Sequence, residues 1–154
     1  MIATIVRILT LAAHLHTYAP NIDAPHAIAH AVAAELAASP AQPAELLLAV
    51  AYVESRYDPT ATSTVRGRRF CGVMQTTAGT EWATCLEQRA LLVGYRTGAT
   101  MLQQWQRAAG ADLQRALNGY GCGFAGFDNG CHNYGARVLA VARRFGLTDR
   151  RTGI

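Results

Sequence analysis

One acidic residue stands near the end of a long apolar run. The run, Leu46 to Val53, reads Leu-Leu-Leu-Ala-Val-Ala-Tyr-Val, and Glu54 follows it directly. Pro59 is expected to stop a helix soon afterwards, because the residue before a proline is pushed out of the α-helical conformation. Apolar neighbours and the negative end of a helix dipole keep a carboxyl group neutral more strongly than water does. Glu54 is therefore a candidate general acid that stays protonated near neutral pH.

Four short segments of the chain follow the order of one family's signatures. They are Glu54-Ser55, Gly72-Val73-Met74-Gln75, Ala116 to Gly123 (Ala-Leu-Asn-Gly-Tyr-Gly-Cys-Gly), and Tyr134 with Val138. In that order they resemble the Glu-Ser, Gly-Leu-Met-Gln and Ala-x-x-x-Tyr-Asn-x-Gly signatures and the late tyrosine helix of the soluble lytic transglycosylase catalytic domain. That family belongs to the lysozyme-like superfamily. The resemblance extends over most of the chain, from Asp23 to Phe145.

The resemblance implies a mainly α fold of the α+β lysozyme-like kind, in which a helical domain carries a small irregular β region that lines a substrate cleft. It also implies a peptidoglycan lyase, which breaks the β-1,4 bond between N-acetylmuramic acid and N-acetylglucosamine without water and leaves 1,6-anhydro ends. The expected role is local opening of the cell wall, for phage entry or for a secretion machine. No cofactor and no metal are expected.

A single acid is enough for the lytic transglycosylase reaction that the resemblance implies. Glu54 would first protonate the oxygen that links the two sugars, while the acetamido group of the muramic acid stabilises the cationic sugar. As a carboxylate, Glu54 would then take the proton from the C6 hydroxyl, which closes the anhydro ring. One residue therefore serves as acid and then as base, and the substrate supplies the rest.

Two alternatives use the same fold differently. A goose-type or other lysozyme would hydrolyse the bond, and it would need a second carboxylate across the cleft. Asp58 is better interpreted as a helix-stop residue, and Glu81, Asp112 and Asp128 could approach Glu54 only through the fold. A catalytically weak wall-binding component of a virion or secretion apparatus is the other alternative.

The remaining motif residues take family roles by resemblance. Ser55 is expected to orient Glu54 or the substrate by hydrogen bonding. Met74 and Gln75 are expected to line the cleft, with Gln75 binding an acetamido or peptide group. Tyr120 is expected to lie beside Glu54, and Tyr134 to hydrogen-bond Glu54 or to shape its pocket; plain core packing is the alternative for both tyrosines.

The chain departs from the family at Gly121, where the signature has asparagine. Because that asparagine helps to position the substrate or the catalytic carboxyl group, its loss favours the wall-binding alternative. Asn118 lies one helical turn earlier and is a candidate substitute. The change from leucine to Val73 in the second signature is conservative.

The four cysteines, Cys71, Cys85, Cys122 and Cys131, permit three full disulfide pairings. We favour Cys71 with Cys85 and Cys122 with Cys131, because each bond would close a short loop beside a motif. Four reduced thiols are the alternative. A zinc site is disfavoured, since neither pair has Cys-x-x-Cys spacing.

The chain has a formal net charge of +4, with 14 Lys+Arg against 10 Asp+Glu, and all of its basic residues are arginine. This excess fits ordinary solubility or attraction to an anionic polymer such as the cell wall. No recognised nucleic-acid-binding motif accompanies it, so nucleic acid is not an expected partner. His26 and His30 share a helix face but lack a third metal ligand, which favours a surface or packing role.

The periodicity predicts mostly helices. The predicted helices are residues 24–38, 43–57, 81–88 and 91–109, then 111–120 and a last helix from Tyr134 to Phe145. Residues 58–70 are expected to form turns with short strands at most. Gly98 lies on the apolar face of its helix, which suggests the close approach of another helix. The glycine-rich residues 121–131 are expected to be a loop.

The chain is divided into an N-terminal helix or extension, residues 1–20, and a transglycosylase domain, residues 21–154. Met1 to His16 could be a helix packed on the domain, a helix that contacts a partner or membrane surface, or a weak export signal. It is too short to span a bilayer. The expected location is extracytoplasmic, in the periplasm or cell wall, or in a phage virion. Expected partners are peptidoglycan strands and phage-tail or secretion-system proteins.

Overall fold

The described residues form several helices and one small sheet. The computed structural model describes residues 9–13, 15–17, 24–38, 42–77, 83–129 and 133–147. The first helix, α1, is described at residues 9–13 and 15–17. The later elements, in chain order, are α2 (Pro25–Ala38), α3 (Ala44–Ser55), β1 (Thr62–Val65), β2 (Arg68–Cys71), β3 (Thr76–Thr77), a 3-10 turn (Glu87–Arg89), α4 (Leu91–Ala109), α5 (Leu113–Asn129) and α6 (Tyr134–Arg144). The predicted mainly α architecture with a small β region is confirmed.

Helix α3 is the centre of the core. Its residues from Leu46 to Ala51 are all completely buried, because α2, α4 and α6 pack around it. A helix that is apolar on every face is stable only when it is surrounded in this way. The helix ends at Ser55, and Arg56 adopts a left-handed conformation with φ 56°. The last turn of the most buried helix therefore carries the candidate acid.

Helix α4 has the predicted bounds, and it ends where Gly110 takes a positive φ of 66°. The apolar face of α4 differs from the prediction in what it contacts at Gly98. A Cβ atom at this position would lie 2.6 Å from the Cβ of Met74, which belongs to the segment after β2. The expected close approach of another helix is therefore wrong, since the second motif itself occupies that space.

The three strands form an antiparallel sheet in the order β1-β2-β3. Thr62 pairs with Cys71 and Val65 with Arg68. The turn between β1 and β2 has positive φ at both Arg66 and Gly67, as a two-residue type I′ hairpin turn requires. This is the turn-rich region with short strands that the sequence predicts.

Two predicted boundaries are wrong. Residues 121–129 belong to α5 instead of a loop. The helix is kinked at Gly123, which has φ 64° and ψ −159°. The chain after the kink turns back, so that Phe127 packs on Trp105 with 5.3 Å between ring centroids. Of the helix expected at residues 81–88, the described part forms only a 3-10 turn at its end; residues 81 and 82 lie outside the described residues.

The described part of α1 contributes to the core. Leu11, Ala12 and Leu15 are buried in the same apolar cluster as α3. Residues 1–8 and 18–23 lie outside the described residues, so the boundary at residue 20 stays a prediction. Among the described residues, no helix has both the length and the apolar character needed to cross a membrane.

The predicted disulfide between Cys71 and Cys85 is present. It joins the end of β2 to the approach to the 3-10 turn, across a sequence separation of 14 residues. Cys122 is also disulfide-bonded, whereas Cys131, its predicted partner, lies outside the described residues.

Removing the bond with the pair Cys71→Ser and Cys85→Ser should lower the free energy of unfolding by about 3 kcal/mol, because a closed loop of this length restricts the unfolded chain. Guanidinium denaturation of the oxidised protein measures this difference. Thr84→Ser is the matched control, since serine keeps the hydroxyl that bonds Glu87. An unchanged midpoint in the double variant would contradict the expectation.

Candidate active site

Glu54 lies in the last turn of α3, one residue before the helix ends. Glu54 is partly exposed, as are Tyr52 and Val53 just before it, while residues 46–51 are fully buried. Burial of the carboxyl group raises the pKa of Glu54 from 4.5 to about 7, and this effect exceeds the opposing effects of Tyr134 and Arg137. At neutral pH the carboxyl group therefore exists in both protonation states, which a group that gives and then recovers a proton needs.

Tyr134 provides the direct partner of this carboxyl group. It is the first residue of α6, and its hydroxyl donates a hydrogen bond to Oε1 of Glu54. Burial and the neighbouring carboxylate raise the pKa of Tyr134 well above its ordinary value, so the phenol stays a donor. Arg137 lies one turn later on α6, and its positive charge favours the carboxylate form of Glu54.

The start of α6 is fixed against α5. The backbone N–H of Gly135 donates to Oδ1 of Asn118 at 2.9 Å, and both groups are buried. A Cβ atom at Gly135 would lie 2.6 Å from the carbonyl oxygen of Gln114, so the two helices touch here. Asn118 therefore binds the backbone next to Tyr134, and its oxygen is not directed at Glu54 as a substitute for the family asparagine.

Tyr120 approaches the same carboxyl group from α5. Its hydroxyl donates to the carbonyl oxygen of Met74 at 2.7 Å. Burial and the charge of Glu54 raise the pKa of Tyr120 well above its ordinary value. The phenol therefore stays neutral beside Glu54 and ties α5 to the segment that follows β2.

Ser55 connects α3 to that same segment. Its Oγ donates to the carbonyl oxygen of Val73 at 2.8 Å and lies 3.3 Å from the carbonyl oxygen of Ala51. The described hydrogen bonds of this hydroxyl thus go to the backbone, and none goes to Glu54.

Gln75 is buried, and its amide group is satisfied inside the protein. Nε2 donates to the carbonyl oxygens of Ala61 and Gly72, each at 3.0 Å, while Oε1 accepts from Ser63 at 2.9 Å. Gln75 also has a positive φ of 46°. These bonds hold the tight turn of residues 72–75 against β1.

The structure therefore brings the four motifs to one place. Ser55 from α3 and Tyr120 from α5 donate hydrogen bonds to the backbone of residues 72–75. Within this segment, Gln75 bonds the carbonyl oxygen of Ala61 just before β1, and Met74 is fully buried. The sequence analysis did not predict Arg137 as a residue that acts on Glu54. Its spacing of three residues from Tyr134, which places both on one helical face, could have indicated this role.

The other acidic residues considered from the sequence have partners elsewhere. Asp58 accepts hydrogen bonds from the backbone and hydroxyl groups of Thr60, both at 2.7 Å, as expected for a turn residue. Asp128 pairs with Arg115, and Asp112 accepts from the Arg115 backbone at the start of α5. Glu81 lies outside the described residues.

Metal-ligating side chains do not gather in the part of the chain that the structure describes. No group of three or more His, Cys, Asp or Glu residues there could hold a metal ion. His26 packs edge-on against His16, with 6.4 Å between ring centroids.

The arrangement of the four motifs agrees with a comparison against protein families, in which the transglycosylase SLT domain matches residues 31–136. The chain belongs to this family. Members are lytic transglycosylases with a lysozyme-like fold, which act on peptidoglycan outside the cytoplasm. Peptidoglycan is accordingly the substrate class that the SLT domain implies for this chain. No curated protein and no solved structure is significantly similar to it.

The raised pKa of Glu54 predicts a loss of stability with rising pH. Between about pH 4.5 and pH 7 the folded protein retains the Glu54 proton and the unfolded chain releases it, so the free energy of unfolding falls as pH rises. Glu54→Gln removes the charge but keeps an oxygen for Tyr134. It should be more stable than the parent at about pH 8, by on the order of 3 kcal/mol.

Denaturation of both proteins across the pH range measures this difference. At about pH 4 the parent carboxyl group is neutral, so the two curves should converge and provide an internal control. A constant offset between parent and variant at every pH would contradict the assignment of a raised pKa to Glu54.

Proposed function

We propose that this SLT domain is an active lytic transglycosylase in which Glu54 serves as both the catalytic acid and the catalytic base. The observation that carries the proposal is the Glu54 carboxyl group at the end of a buried helix, with its pKa raised to about 7 and a phenol as its direct partner. A group with this pKa can be protonated when substrate binds and can become a carboxylate within the same catalytic cycle.

In the first step, the carboxyl proton of Glu54 passes to the glycosidic oxygen, and the bond from C1 of N-acetylmuramic acid to that oxygen breaks. The acetamido group of the muramic acid stabilises the positive charge at C1. Tyr134 and Arg137 favour the carboxylate that Glu54 has become, through a hydrogen bond and through opposite charge.

In the second step, the C6 hydroxyl oxygen attacks C1 and closes the 1,6-anhydro ring. The proton of the C6 hydroxyl group passes to the Glu54 carboxylate, which restores the starting carboxyl group, while the first proton leaves on the N-acetylglucosamine oxygen. No water is consumed, and no second carboxylate is needed. Among the described residues, the side chains that act on the pKa of Glu54 besides its burial are Tyr134 and Arg137, and neither carries a carboxyl group.

Residues of the first three motifs shape the cleft wall in this proposal. The side chains of Ser55, Gln75 and Tyr120 all bond the backbone around residues 72–75, and Met74 is buried beneath it. Because the amide hydrogens of Gln75 already have protein acceptors, its contribution is to fix the shape that receives an acetamido or peptide group.

The proposed setting is local opening of the cell wall, by a phage particle or a secretion apparatus. Two features support an extracytoplasmic site. The Cys71–Cys85 disulfide suits an oxidising compartment, and the net charge of +4 suits an anionic wall polymer. Proteins of the virion or secretion apparatus are the partners that this setting requires.

A wall-binding component with weak activity is the second candidate. The observation that favours it is Gly121, which stands where the family signature has asparagine. The position of Glu54 and its contact with Tyr134 favour the enzyme.

Digestion of purified peptidoglycan, followed by mass spectrometry of the products, tests the proposal. The parent should release muropeptides lighter by one water than hydrolysis products, and Glu54→Gln should release none. Asp58→Asn is the matched control, because Asp58 is exposed and bonds only its own turn among the described residues.

Products with free reducing ends would instead show a lysozyme. Intact glycan with both the parent and the variant, together with retained binding to the wall, would favour the wall-binding component.

A further inference from the structure

Gly121 faces the ring of the tyrosine that contacts Glu54. A Cβ atom at Gly121 would lie 2.6 Å from both Cγ and Cδ2 of Tyr134, and 2.8 Å from Cδ1. Real Cβ atoms do not approach so closely, so any side chain at this position would force the ring to move. The clash is at the root of the ring, next to the backbone of α6, where a rotation of the side chain gives little relief.

The rest of the structure prevents α6 from moving away. The Gly135 backbone is bonded to Asn118 and lies against the carbonyl oxygen of Gln114, and Val138 is fully buried. The ring of Tyr134 lies between the backbone of Gly121 and the carboxyl group of Glu54.

We propose that Gly121 is a positioning residue for the reaction: the missing side chain makes the space in which Tyr134 lies against Glu54. In this chain any side chain at position 121, asparagine included, would meet the ring and displace it from the carboxyl group. The catalytic role of Gly121 rests on the proposed function, whereas its contact with the Tyr134 ring does not.

The charged and titratable groups around Glu54 define what should be measured. Tyr134 and Arg137 face it from α6, and Tyr120 faces it from α5. Since the hydrogen bond from Tyr134 lowers the pKa of Glu54, a displaced ring should raise that pKa further, and the pH above which cleavage is lost should rise with it.

The experiment follows the carboxyl carbon of Glu54 by ¹³C NMR through a pH titration, in the full chain. Gly121→Ala should raise the pKa of Glu54 by about one unit, as Tyr134→Phe should. The double variant should show no further rise, because the same hydrogen bond is lost only once. In the digestion assay, Gly121→Asn should lose activity, although it restores the family's residue.

Gly119→Ala is the matched control. It lies on the same helix, and its Cβ atom would be 2.4 Å from Trp105, so it also overpacks the structure. It should lower stability without changing the titration of Glu54. If Gly121→Ala titrates like the parent, or if Gly121→Asn increases cleavage, the proposal is overturned.

If Gly121→Ala fails to fold, its stability can be compared with and without the Tyr134 ring. In the background Tyr134→Ala the ring is absent, so the added methyl group should no longer reduce stability. A Gly121→Ala protein that folds only in that background supports the proposal, and one that is equally damaged in both backgrounds overturns it. The NMR titration needs no cleavage, so a failure of the proposed function remains distinguishable from a failure of this inference.

Discussion

The burial of one carboxyl group at the end of an apolar helix is the constraint on which the site depends. Other elements bury the middle of helix α3, and Glu54 lies at its less buried C-terminal end. Burial without a partner would make the carboxylate too costly, and full exposure would leave the pKa ordinary. The phenol of Tyr134 and the charge of Arg137 offset part of this cost, and the result is a pKa of about 7.

The motif residues act mainly on one another. Ser55 and Tyr120 bind the carbonyl oxygens of consecutive residues, Val73 and Met74, and Gln75 bonds the turn that holds them. Three elements are thereby joined through the short segment of residues 72–75. Loss of the bond from Ser55 or from Tyr120 would alter the segment beside Glu54, since a carbonyl oxygen would lose its side-chain donor.

Glycines set the distances between these elements. Gly98 admits Met74, Gly135 brings α6 onto α5, and Gly121 admits the Tyr134 ring. Only the third lies at a position where the chain departs from its family's signature. At that position a side chain would meet the ring of the tyrosine that bonds Glu54.

The sequence by itself predicted the helices with strong periodicity, such as α4, and it indicated the family and the candidate acid. It favoured the Cys71–Cys85 bond over other pairings, and the structure contains that bond. These follow from local patterns, because apolar spacing and motif order are written along the chain. Only the tertiary structure decided that residues 121–129 continue a kinked helix, that Met74 and not a helix fills the space at Gly98, and that Gly121 touches Tyr134. Those contacts join residues distant in sequence, and close approach in three dimensions has no signature in either segment alone.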